Sequence, residues 1–141
     1  MCFLGVDIGG TSVRSLVTDA GGKILGYQRI ARVSHEFLWQ TISDCLGAVM
    51  AQSSVVHVEA AVVGAAGAGP TGNHDVCQSV EKALGAVGLD VTPQVVTDIE
   101  IAYWSAAALG DGSILVAGTG AIAGRFSEWR CVDRRDGAGW L

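Results

Sequence analysis

Three strand-patterned segments follow one another before the hydrophobic period of the chain ever becomes helical. Residues 2–8 (Cys-Phe-Leu-Gly-Val-Asp-Ile) are an apolar run ended by Gly9-Gly10, the pattern of a buried strand and its turn. Residues 12–19 predict a second strand, Ala20-Gly21-Gly22 a hairpin turn, and Lys23 to Ile30 a third strand. Leu38, Ile42, Leu46, Val49 and Met50 then recur at helical spacing. Residues 56–63 predict a fourth strand, Gly64 to Asn73 a loop of small residues, and Val76, Val80, Leu84 and Val87 a second helix. Gln94 to Thr97 is a short fifth strand and 99–109 an Ala-rich third helix, broken by Gly110-Asp111-Gly112. Ser113 to Ala117 and Ala121 to Phe126 form a hairpin around Gly118-Thr119-Gly120. The order βββαβαβα plus a hairpin predicts an α/β chain. Its sheet is mixed, because strand–helix alternation after a meander implies parallel pairing through crossovers.

Composition narrows the class. The chain has 141 residues, half of them hydrophobic and 16% charged, which suits a packed core and argues against disorder. A net charge of −5 with nine Lys plus Arg offers no footprint for a nucleic-acid backbone. No apolar run is long enough to span a bilayer, and a start that meets Asp7 without a basic region is not a signal peptide. Cys2, Cys45, Cys77 and Cys131 are far apart and form no zinc spacing. They read as reduced, mostly buried thiols of a cytoplasmic protein.

Four constellations could carry chemistry. In Asp7-Ile8-Gly9-Gly10-Thr11, glycines between two strands let backbone N–H groups approach an anion and adopt positive φ. Thr11 adds a hydroxyl, and Asp7 can hold Mg²⁺ through water, since Mg²⁺ keeps much of its hydration shell. An ordinary hairpin is the plain alternative. Gly118-Thr119-Gly120 repeats the arrangement in a second hairpin. Neither is a Walker A loop or a dinucleotide fingerprint. Asp98 follows a strand and opens a helix, where ligands collect in open α/β sheets. It could take a proton from an attacking hydroxyl, or it could simply cap the helix. Glu100 is the weaker base, being already inside the helix start. The tail Asp136-Gly137-Ala138-Gly139-Trp140-Leu141 could close over a sugar ring or be a loose chain end. His35, His57 and His74 have no metal-ligand company; His57 reads as a strand residue.

In this order the segments Gly5-Val-Asp-Ile-Gly-Gly-Thr11 with Arg14, Val95-Val-Thr-Asp98 before an Ala-rich helix, Ala117-Gly-Thr-Gly120 with Ile122 and Ala123, and Gly137-Ala-Gly-Trp-Leu141 carry a resemblance. The chain resembles the actin/hexokinase/Hsp70 superfamily, and within it the BadF/BadG/BcrA/BcrD-type ATPases, which include N-acetylglucosamine and glucosamine kinases. The resemblance implies a ribonuclease H-like first domain over residues 1–110, with 111–141 opening a second. It implies ATP and Mg²⁺ as cofactors, with Asp7 on the magnesium side and Gly9, Gly10 and Thr11 as the first phosphate loop. Asp98 is implied as catalytic base and Gly118, Thr119 and Gly120 as the second phosphate loop. Thr119 and Gly137 would face a small-molecule sugar. Ala121 departs from the Ser usual after the second Gly-Thr-Gly.

Relatives continue past the position of Leu141 into a Gly-Asp-Glu-Gly motif, an acidic sugar ligand and an adenosine pocket. We therefore expect a truncated chain, inactive alone, whose hairpin face of Ile114, Val116, Ile122 and Phe126 lacks a partner and could support a homodimer. The implied activity is phosphorylation of an amino sugar. Within the same family, an ATPase activator of a 2-hydroxyacyl-CoA dehydratase or benzoyl-CoA reductase is the competing enzyme class, expected to hold an iron–sulfur cluster between subunits. A non-catalytic nucleotide- or sugar-binding module is the third reading.

Overall fold

The computed structural model describes residues 1–31, 37–66, 68, 73–106, 110–117 and 121–136. Eleven elements run along it: β1 (Cys2–Ile8), β2 (Ser12–Asp19), β3 (Ile24–Ala31), α1 (Leu38–Ser53), β4 (Ala60–Ala65), α2 (Asn73–Ala86), β5 (Pro93–Thr97), α3 (Asp98–Ala106), β6 (Gly112–Ala117), β7 (Ala121–Ser127) and β8 (Arg130–Asp136). They divide into two compact units, Met1–Val96 and Thr97–Leu141.

The first unit is built on a five-stranded sheet of order β3-β2-β1-β4-β5. β1 is antiparallel to β2 and parallel to β4, and β2 is antiparallel to β3. The meander followed by a parallel return is therefore present, and the sheet is mixed. Alternation sorts the two faces. Leu4, Val6 and Ile8 of β1, Val13 and Val17 of β2, and Ala61, Val63 and Ala65 of β4 are buried in one core with Ile42, Leu46 and Val49 of α1 and Val80, Ala83 and Leu84 of α2. Ser15 shares this face, and its hydroxyl donates to the Cys45 carbonyl at 3.1 Å, so the buried polar group is satisfied. Burial pushes the Cys45 thiol above its ordinary value, against hydrogen bonds from Ser15 and the backbone that lower it. At Gly26 of β3, a Cβ would stand 3.0 Å from the Val49 carbonyl oxygen, so only glycine lets β3 lie this close to α1.

The fourth strand starts later than predicted. Its ladder with β1 runs from Phe3↔Ala60 to Ile8↔Ala65, so β4 can begin only where its partner begins and extends through Gly64 and Ala65. His57 consequently lies outside the strand, with Val56 91% exposed beside it.

The second unit is larger than a hairpin. β6, β7 and β8 form a three-stranded antiparallel sheet. Its core is Ile99 and Tyr103 of α3 with Phe126 of β7, and Ile114, Ile122 and Cys131 pack around it. The Tyr103 and Phe126 rings stack with centroids 3.9 Å apart. This corrects the expectation that the hairpin face lacks a partner: α3 covers Phe126, Ile114 and Ile122, while Val116 remains 40% exposed. β8 was not visible in the sequence because Arg-Cys-Val-Asp-Arg-Arg-Asp has no strand-like alternation and its turn carries no glycine. Glu128 and Trp129 take left-handed φ of 47° and 71° instead, the sign that a two-residue hairpin of type I′ has at both central positions. Asp111 accepts from the Glu128 N–H and the Ser127 hydroxyl at 3.0 Å each, and the Trp104 indole donates to the Trp129 carbonyl at 3.0 Å. Those bonds hold the strained turn.

Candidate active site

Asp7 sits one residue before the carboxyl end of β1, opposite Arg14 of β2 and Gly64 of β4. Its carboxylate is half-exposed, and Arg14 Nη1 donates to Oδ2 at 2.9 Å. The turn that follows is closed by the Gly9 N–H donating to the Ser12 carbonyl at 2.9 Å. Among the described residues, the Gly10 and Thr11 N–H groups find no hydrogen-bond partner, and Thr11 is exposed. A Cβ at Gly10 would meet nothing within 4 Å. Two free donors, a hydroxyl and open space beside a carboxylate suit an anion brought close to the backbone. One detail differs from expectation. Neither Gly9 nor Gly10 has positive φ, so these glycines serve close approach and not a left-handed turn.

The start of α3 holds the second group. Glu100 Oε2 accepts from the Thr97 N–H at 2.9 Å and from the Thr97 hydroxyl at 2.7 Å, and the Glu100 N–H reaches back to Thr97 Oγ1 at 3.4 Å. This reciprocal pair is a capping box with Thr97 as N-cap. The alternative role for Asp98 as the cap is thereby filled by a neighbour. Asp98 stands at the first helical position, exposed, with Oδ1 accepting from the Ile99 N–H at 2.9 Å. Glu100 is committed to the cap, so Asp98, whose Oδ2 has no partner among the described residues, is the more available carboxylate of this turn. The Thr-x-x-Glu spacing would have revealed the box in the sequence.

Gly118, Thr119, Gly120 and Gly137 lie outside the described residues. The four cysteines are free thiols; Cys45 is buried and the other three half-buried. Burial, and secondarily Glu100, push the Cys131 thiol up. Among the described residues no three His, Cys, Asp or Glu side chains gather to hold a metal. Also among them, no helix is long and apolar enough to cross a membrane.

No family model and no curated protein matches the chain. Solved structures do. A candidate N-acetylglucosamine kinase from Porphyromonas gingivalis superposes with a TM-score of 0.73 at 18% identity, covering 94% of this chain and 47% of its own. A ROK hexokinase from Thermus thermophilus gives 0.72 at 19% identity over 99% and 51%. A ROK family glucokinase from Streptomyces griseus, solved with glucose and AMPPNP, gives 0.65 at 26% identity over 99% and 48%. The chain has the actin/hexokinase-type ATPase fold. It spans about half the length of the solved structures it matches.

Proposed function

We propose that the protein carrying this chain transfers the γ-phosphoryl group of ATP to a hydroxyl of an amino sugar, N-acetylglucosamine or glucosamine. The observation that carries the reading is that Thr97 and Glu100 form the capping box while Asp98 stands exposed beside it. An exposed carboxylate at the mouth of a strand–helix junction, in a fold shared with sugar kinases, suits a base that orients and deprotonates the attacking hydroxyl. The Gly9–Thr11 turn would receive phosphate on the N–H groups of Gly10 and Thr11. Asp7 suits Mg²⁺ held largely through its own waters and the phosphates, because among the described residues one half-exposed carboxylate and no protein cage is the donor set present. When bound, that ion neutralises the charge that develops on the transferring group. Gly118, Thr119 and Gly120 as second phosphate loop, and Thr119 and Gly137 on the sugar, rest on the sequence resemblance. So does a domain division after residue 110; a cytoplasmic setting rests on reading the cysteines as reduced thiols.

The test is ADP release by the full-length protein with MgATP against a panel of sugars. Turnover that depends on glucosamine or N-acetylglucosamine supports the proposal. Turnover with glucose alone moves the substrate class, and ATP hydrolysis indifferent to every sugar defeats the kinase reading.

A further inference from the structure

Arg14 does something the phosphate turn alone does not explain. Asp7, Arg14 and Arg29 stand in one register row across β1, β2 and β3, since Asp7 pairs with Arg14 and Arg14 with Arg29. Like charges placed directly opposite on neighbouring strands repel, so Arg14 beside Arg29 is an unfavourable choice for a plain sheet surface. Asp7 relieves it by taking Arg14 at 2.9 Å, and among the described residues Arg29 has no partner. Asp7 and Arg14 lie one register pair from the Gly9–Ser12 turn, where two N–H groups are free among the described residues. Arg14 and Asp7 are 47% and 37% exposed, so this pair is weak enough to exchange partners.

We infer that Arg14 is an internal counterion that stands in for the divalent cation at Asp7, and that the arriving cation releases it to the phosphate. The inference rests on the proposed magnesium role of Asp7 and adds a coupling to it. With no cation, the guanidinium neutralises the carboxylate and is unavailable to an anion. When the cation takes Asp7, Arg14 is freed next to Arg29, and the two planar cations face an anion seated at the turn. The two ligands are then linked reciprocally: cation binding favours phosphate, and phosphate favours the cation.

The signs are opposite for the two ligands, which makes the idea testable without turnover. Arg14→Gln removes the competitor from Asp7, so Mn²⁺ alone should broaden the amide signals of Asp7 and its neighbours at about two- to fivefold lower concentration, the range of an exposed ion pair. The same substitution should reduce the gain in inorganic phosphate affinity that saturating Mg²⁺ brings, by a similar factor, and should change metal-free phosphate binding little. Arg14→Lys should keep most of the coupling. Arg29→Gln removes the same charge without touching Asp7, and should shift the Mn²⁺ midpoint less. Equal Mn²⁺ shifts in Arg14→Gln and Arg29→Gln would reduce the effect to general electrostatics and overturn the inference. So would phosphate weakening that is identical with and without Mg²⁺. Asp7→Asn separates the two layers: if it leaves Mn²⁺ binding intact, the magnesium role of Asp7 fails as well, whereas its loss there with no Arg14 effect defeats the counterion alone.

Discussion

The two compact units solve the same packing problem at different scales. In Met1–Val96, β1 and β2 alternate cleanly and, with β4, bury a continuous core against two helices. Among the described residues of Thr97–Leu141, three side chains, Ile99, Tyr103 and Phe126, are buried, and the rest of the sheet leans on them. A broad core tolerates the loss of one contributor better than a core of three. The second unit compensates with specific polar fastenings: the Thr97–Glu100 box, the Tyr103 hydroxyl donating to the Gly110 carbonyl at 2.8 Å, and the Asp111 bonds at the β7–β8 turn. The difference also separates roles. The proposed phosphate turn stands on the broad core, and the proposed base stands on the small one.

Phe126→Ala should have the largest effect. It removes the ring stacked on Tyr103 and should cost about 3–5 kcal/mol, enough to open the three-stranded sheet. Hydrogen exchange would show amides of 99–136 losing protection while those of β1 and β2 keep theirs. Simultaneous loss in both units would mean that they are one cooperative body.

Next in size is overpacking. Gly26→Ala drives a methyl to 3.0 Å from the Val49 carbonyl oxygen and 3.1 Å from its Cγ2, and Gly124→Ala drives one to 2.8 Å from Ile99 Cδ1. Each should cost about 1–3 kcal/mol by chemical denaturation. Gly26→Ala should be the more damaging, because its nearest neighbour is backbone and cannot turn aside, whereas Ile99 can.

Much of the first unit was legible because its signals are periodic. Val13, Ser15 and Val17, or Leu4, Val6 and Ile8, declare their face by alternation alone. The start of β4 was not, since the run from Val56 to Val58 imitates a strand and only the β1 ladder decides where pairing begins. β8 was hidden for a different reason: its position is enforced by tertiary bonds to Asp111 and Trp104, which no local pattern announces. At the candidate site, Asp7, the glycine turn and Asp98 stood out as residue types in place. What the sequence reading did not supply was partnership, in that Glu100 relieves Asp98 and Arg14 holds Asp7.

The capping box predicts a smaller effect. Thr97→Ala should destabilise by about 1 kcal/mol, the usual worth of an N-cap, with protection lost first in α3. Thr97→Ser should recover most of it.

The smallest effect concerns pH. The folded Cys45 thiol titrates above its ordinary value of 9.0, so the folded chain holds its proton where the unfolded chain releases it. Its contribution is fully present below pH 9 and falls as pH rises through the folded value. Cys45→Ala, though less stable throughout, should show a shallower alkaline decline in denaturation midpoint. A slope identical to wild type would exclude Cys45 as its source.

The central claim is that Asp98 is free to act because Thr97 and Glu100 cap the helix. Asp98→Asn keeps the side-chain oxygen that accepts from the Ile99 N–H and removes the base. Sugar-dependent ADP release by the full-length protein, measured together with its denaturation midpoint, tests both halves at once. We predict a loss in kcat of about 10²-fold or more with a midpoint change under about 0.5 kcal/mol. Retained turnover with a loss near 1 kcal/mol would make Asp98 a structural residue of the helix start and contradict the account.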